Sequence, residues 1–259
     1  TTGNFYVAGR YDGTVDLDPS TTTTQNSPAT AGSYDQFLVK LTSAGDFSWG
    51  KTFGGSGSDT PKFVKVIGAN VYMGGSITGT LDLDPNSGNN TYTTSGVGDG
   101  YISKFDQDGN YSFSYVVGGS SASDLDEMYR VAEGPNGNLF ISGTFSDTAD
   151  VDFGTSVNNI VSNGSLDVFA LEITPTGQYV NHVAFGGSLK EAFSKLEFSI
   201  DNHVFLIGSF NSGTIDFDPY AGINTLSNNA SGSYDVYFTT LAWPNIALAN
   251  TTFANDNIN

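Results

Sequence analysis

Thr14-Val15-Asp16-Leu17-Asp18-Pro19 is the stretch that decides the fold, because it returns three more times along the chain. Its other copies are Thr80-Leu81-Asp82-Leu83-Asp84-Pro85, Thr148-Ala149-Asp150-Val151-Asp152-Phe153 and Thr214-Ile215-Asp216-Phe217-Asp218-Pro219. Successive copies start 66, 68 and 66 residues apart. A fixed period of this length indicates a repeat architecture.

The 259 residues are therefore interpreted as one domain of four modules. The modules cover approximately residues 1–68, 69–136, 137–201 and 202–259. Each contains aromatic and β-branched runs that predict strands. One run ends in Gly, as in Phe5 to Gly9, the next begins at an Asp, as at Asp35, and a third ends in Gly-Gly, as at Gly54-Gly55. A fourth follows an acidic residue that comes after the Gly-Gly, and four antiparallel strands per module predict the blade of a β-propeller.

Composition supports a packed all-β protein and excludes several functions. Hydrophobic residues make up 38% of the chain and aromatic residues 13%, which is too rich for disorder. Nine Lys and Arg against 27 Asp and Glu give a formal charge of −18, so nucleic acid is not expected as a partner. Cysteine is absent, which excludes disulfides and thiol chemistry. No apolar run is long enough to predict a membrane span.

A family resemblance lies in the stretch from Trp49 to Gly75. Phe53-Gly54-Gly55, then Asp59, then Asn70-Val71-Tyr72-Met73-Gly74-Gly75 resembles the bacterial SBBP-type β-propeller repeat, and the likeness recurs in each module. The resemblance implies a secreted or surface-displayed bacterial protein, of the kind found in Bacteroidota. It carries little about activity. The first residue, Thr1, is consistent with removal of a signal segment.

One blade is predicted to lack a strand. The strand after Gly-Gly, which is the innermost one by analogy with related propellers, occurs only before modules two, three and four. Three explanations stay open: the strand lies outside this chain, residues 256–259 continue toward it, or another chain supplies it by strand addition. The last of these predicts self-association.

The repeated Asp residues are the main candidate site. The two in each motif lie two residues apart, hence on one strand face, and the Asp that opens the next strand joins them. Oxygen-only ligands favour Ca²⁺ and predict one ion per blade. The predicted ligands are Asp16, Asp18, Asp35; Asp82, Asp84, Asp99; Asp150, Asp152, Asp167; and Asp216, Asp218, Asp235. The alternative is that these residues accept hydrogen bonds from turn backbones.

Signals for catalysis are weak. No Gly-x-Ser-x-Gly, His-Glu-x-x-His or Walker motif occurs, and the two histidines fall at unlike places in their modules. Acids at the mouth of the axis, Asp59, Asp126 and Glu191, are the candidates for a glycoside-acting enzyme. Five basic residues, Lys62, Lys65, Arg130, Lys190 and Lys195, lie in or beside the innermost strand and are expected to pair with acids there.

The sequence thus predicts a non-catalytic binding or assembly module, secreted or on the cell surface and stabilised by calcium, with a protein or glycan ligand. Two other hypotheses remain: a filament or sheath subunit joined by strand exchange, and a glycoside-acting enzyme.

Overall fold

The protein was analysed as a computed structural model, which describes residues 3–199, 203–220, 222–228, 233–241 and 243. These residues form twenty β-strands and no helix, so the predicted all-β class is confirmed. Accordingly, the described ranges contain no helical segment that is able to cross a membrane. The strands are arranged in four main antiparallel sheets, here called sheets I to IV, and three two-stranded ribbons.

Sheet I has three strands in the order β1-β2-β3. Their bounds are β1 Phe5–Tyr11, β2 Asp35–Leu41 and β3 Phe47–Phe53. Sheet II has four strands in the order β4-β5-β8-β9. Its strands are β4 Thr60–Ile67, β5 Asn70–Ile77, β8 Asp99–Asp106 and β9 Tyr111–Val117.

Sheet III repeats the arrangement of sheet II as β10-β11-β14-β15. Its strands are β10 Glu127–Glu133, β11 Leu139–Phe145, β14 Asp167–Ile173 and β15 Tyr179–Phe185. Sheet IV contains β16-β17-β20. Its strands are β16 Glu191–Phe198, β17 Val204–Phe210 and β20 Asp235–Leu241. The third strand expected in the last module, at residues 246–253 after β20, lies outside the described residues.

The hairpin turns have the geometry that their glycines predicted. In the turn between β8 and β9, Gly109 has a φ of 81° and donates its N–H to the carbonyl of Asp106. Gly45 and Gly177 occupy the equivalent turns with φ of 92° and 88°. A positive φ of this size is readily adopted only by glycine. These turns join β2 with β3, β8 with β9, and β14 with β15.

Three ribbons, which the sequence analysis did not foresee as paired strands, contain the first Asp of the motif. They are β6 Thr80–Asp82 with β7 Thr91–Thr93, β12 Thr148–Asp150 with β13 Asn159–Val161, and β18 Thr214–Asp216 with β19 Thr225–Ser227. In the first module a single bridge between Asp16 and Asn26 takes their place. The second Asp of the motif follows each ribbon and is not part of a strand, contrary to the expectation that both lie on one strand.

The core lies between consecutive sheets. One apolar cluster joins Leu38 of sheet I to Val71 and Met73 of sheet II. A second cluster joins sheet II to sheet III, and a third joins sheet III to sheet IV. The first strands β4, β10 and β16 also contact one another from sheet to sheet. The described residues form no closed propeller or barrel, and the outward faces of sheets I and IV remain exposed.

Candidate functional site

The first Asp of each motif caps its own ribbon. Asp82 Oδ1 accepts hydrogen bonds from the backbone N–H of Asp84, at 3.0 Å, and from that of Asn90, at 2.8 Å. The same two bonds recur in the other modules at Asp16, Asp150 and Asp216. These carboxylates therefore satisfy backbone donors at the turn, as the alternative interpretation of the motif expects.

The second Asp of each motif makes a similar local bond. Asp84 Oδ1 accepts the backbone N–H of Asn86 at 2.8 Å, and Asp152 Oδ1 accepts that of Gly154 at 2.9 Å. Asp18 and Asp218 bond in the same way to the residue two positions later. One carboxylate oxygen of each of these Asp residues therefore accepts a backbone hydrogen bond within its own turn.

In the first three modules the third Asp, at the start of the second strand, is buried and only partly satisfied, whereas Asp235 is half-buried. Asp35, Asp99 and Asp167 are 5%, 0% and 1% exposed. In each, Oδ2 accepts a backbone N–H from four residues earlier, at 3.2, 3.1 and 2.8 Å. In each, Oδ1 is buried and has no hydrogen-bond partner. The equivalent neighbour of Asp235, residue 231, lies outside the described residues.

The structure does not gather these three Asp residues into a ready-made metal centre. Within the ranges that the structure describes, no three acidic or histidine side chains lie together as metal ligands. Among the predicted ligands, the Oδ1 atoms of Asp35, Asp99 and Asp167 are buried oxygens without a hydrogen-bond partner, and they are available to a cation. Calcium binding stays a prediction.

Another set of acids, at the junctions between sheets, is held by backbone donors. Asp126 is 1% exposed; its Oδ2 accepts the N–H of Gly119 at 2.6 Å, and its Oδ1 accepts the N–H of Ser146 at 2.7 Å. Asp59 and Glu191 make the equivalent bonds. These junction acids, which the enzyme hypothesis places at the axial mouth, are buried and bridge the Gly-Gly of one module to the next sheet.

Each junction acid lies near the third Asp of the same module, so these carboxylates come in pairs. The pairs are Asp35 with Asp59, Asp99 with Asp126, and Asp167 with Glu191. Burial raises the pKa of Asp59, Asp126 and Asp167 to about 6, and the charge of the neighbouring acid adds to the rise. Each pair therefore places two buried acids near enough for the charge of one to affect the pKa of the other.

The Gly-Gly dipeptide makes room for this pair. A Cβ atom on Gly118 would lie 2.2 Å from Asp99 Cγ, and one on Gly186 would lie 2.1 Å from Asp167 Cγ. Only a residue without a side chain fits there. In the sequence, Gly-Gly indicates only the end of a strand; the constant order of Asp, Gly-Gly and acid is the signal from which the pairing could have been predicted.

Three of the five basic residues near the first strands form ion pairs. Lys62 lies 2.7 Å from Glu127, Lys190 lies 2.5 Å from Asp124, and Lys195 lies 3.4 Å from Glu197. The expected pairing with acids is therefore confirmed for these three lysines. The bond to Lys190 also separates the roles of two nearby acids: Asp124 pairs with lysine, whereas Asp126 is the junction acid.

Neither a scan against protein-family models nor a search of the curated proteins finds a match to this sequence.

Proposed function

We propose that the chain is a non-catalytic β-propeller module of the SBBP-repeat type, secreted or displayed on a bacterial surface, which binds a protein or glycan ligand or assembles with other chains. One observation supports a non-catalytic role. The junction acids Asp59, Asp126 and Glu191 are buried and bonded to equivalent backbone donors. A catalytic site instead needs acids in unequal surroundings that a substrate can reach.

The propeller part of the proposal draws on the repeated packing of the sheets. Each apolar cluster spans two consecutive sheets, and the first strands β4, β10 and β16 follow one another in contact. Radial repetition of four-stranded sheets about their first strands is the arrangement of a propeller.

A screen of polysaccharides tests the non-catalytic role. The chain is incubated with each glycan, and binding and the release of reducing ends are measured in parallel. We expect retention of some glycans without hydrolysis. Hydrolysis that is lost in Asp126→Asn but kept in Asp12→Asn, a variant at an exposed acid, would overturn the proposal in favour of the enzyme.

The calcium part rests on the buried, unpartnered Oδ1 of Asp35, Asp99 and Asp167. A cation bound only by the folded state raises the melting temperature. We expect millimolar Ca²⁺ to raise the melting temperature above that in EDTA, with a smaller rise in Mg²⁺ and none in the triple Asp→Asn variant at these positions. Equal melting temperatures in EDTA and Ca²⁺ would reject calcium.

A filament or sheath subunit is the second candidate, because β1 has a free edge. Its equivalents β5, β11 and β17 each pair with a first strand, β4, β10 or β16, whereas β1 pairs only with β2 among the described residues. An unpaired edge accepts a strand from another chain.

A further inference from the structure

The two ends of the row of sheets expose apolar faces whose equivalents are buried inside the molecule. We call the face that a sheet turns toward the preceding sheet its front face, and the opposite one its back face. On the front face of sheet I, Phe5 is 56% exposed and Val7 44%. On the back face of sheet IV, Val236 is 75% exposed and Phe238 60%.

The internal interfaces show what covers these positions elsewhere. Phe5 and Val7 correspond to Val71 and Met73 of sheet II, both 0% exposed, which pack in one cluster with Leu38 on the back face of sheet I. The cluster between sheets III and IV repeats this contact with Val204, Leu206 and Ala170. In each of these interfaces, the back face of one sheet therefore packs against the front face of the next sheet.

Val236 and Phe238 are the back-face members of the same contact in the last module. They correspond to Val168 and Ala170 of sheet III, which are both 0% exposed. The ring of Phe205, 5.1 Å from that of Phe238, extends the apolar surface. The two end faces thus carry the two halves of an interface that the chain forms three times internally.

We propose that these end faces join two copies of the chain head to tail, with the back face of sheet IV in one copy on the front face of sheet I in the other. The proposal rests on the assembly role proposed above and names its partner. Such a heterologous contact generates a closed ring or an open row, according to the rotation between sheets.

A polar contact at two of the internal interfaces suggests a substitution that should strengthen the contact between two copies of the chain. Lys40 Nζ donates to the carbonyl of Gln107 in the turn of the next sheet at 2.6 Å, and Lys104 Nζ donates to that of Pro175 at 2.8 Å. The equivalent position on the last sheet is Thr240, and the turn that it would meet contains Ser43. Thr240→Lys therefore supplies the donor that Lys40 and Lys104 provide at the first two internal interfaces.

The experiment measures mass by sedimentation over a range of concentrations. We expect the wild-type chain, of 27.3 kDa, to associate into dimers or larger multiples, and Thr240→Lys to associate more tightly. Val236→Asp with Phe238→Asp should weaken association by about tenfold or more, because burial of an unpaired carboxylate is costly. Val157→Asp, at a loop residue that is 69% exposed and away from both faces, is the control and should change nothing.

Mixing distinguishes head-to-tail contact from contact between like faces. A back-face variant (Val236→Asp, Phe238→Asp) and a front-face variant (Phe5→Asp, Val7→Asp) should each be mostly monomeric at a concentration at which the wild type is associated, and a mixture of the two should form a dimer through the intact faces. Association of either variant by itself as tight as that of the wild type, or a wild-type chain that stays monomeric throughout, would overturn the inference. The glycan screen is read independently, so failure here leaves the proposed binding role standing.

Discussion

Among single residues, Asp167 shows most clearly how burial raises the pKa of a carboxylate. It is 1% exposed, its Oδ1 has no hydrogen-bond partner, and the neighbouring Glu191 is also an acid. Burial, with the charge of Glu191, raises the pKa of Asp167 to about 6 from the ordinary value of 3.8 for Asp. Between these two pH values the folded state holds a proton that the unfolded state releases.

Asp167→Asn tests this assignment. Because the native pKa is raised, the contribution of Asp167 to the free energy of unfolding is largest below about pH 4 and is lost as the pH rises to about 6. Asn does not ionise, and its amide can donate toward Glu191. We therefore expect the stability of the variant, relative to wild type, to increase from about pH 4 to about 6 and to level off above, measured by urea unfolding in EDTA.

The control for that series is Asp12→Asn, since Asp12 is exposed and makes no hydrogen bond that the structure records in its described part. A difference between Asp167→Asn and wild type that is constant over this pH range would contradict the raised pKa.

At the scale of elements, the main strands could be read from the sequence, whereas the ribbons could not. The predicted second strand begins at Asp35 in the structure, and the predicted third strand ends at Phe53, directly before Gly54-Gly55. Their alternating apolar residues and glycine turns are local signals. The three-residue ribbons are too short to show a periodicity, and a side-chain carboxylate holds each of them.

Removal of such a cap should weaken its ribbon. Asp82→Ala takes away the acceptor of two backbone N–H donors, those of Asp84 and Asn90. Loss of a charged acceptor of this kind costs about 1–2 kcal/mol of unfolding free energy. We expect that loss in chemical unfolding, together with faster amide exchange in β6 and β7, whereas Asp12→Ala should leave both unchanged. Unaltered exchange in the ribbon would show that Asp82 does not hold it.

For the whole molecule, the net charge affects the stability of the folded state. A formal charge of −18 makes the compact state repel itself, and salt screens that repulsion. The Debye length falls from about 30 Å at 0.01 M to about 8 Å at 0.15 M ionic strength. The melting temperature in EDTA should therefore rise over this range of sodium chloride.

Potassium chloride is the control and should give the same rise, because screening does not depend on which monovalent cation is present. A melting temperature that falls with salt would mean that attractive ion pairs, such as Lys62 with Glu127, outweigh the general repulsion.

The sequence by itself determined the repeat of four modules, the all-β class and the bounds of the second and third strands, because repeat spacing, alternation and turn glycines act between near neighbours in the chain. The sequence also identified the repeated acidic residues of the motif and of the junctions. Only the tertiary structure decided that the third Asp pairs with the junction acid rather than with its own motif, and which apolar faces stay uncovered. Both depend on how one sheet packs on the next, and residues such as Asp99 and Asp126 meet only after that packing has brought them together.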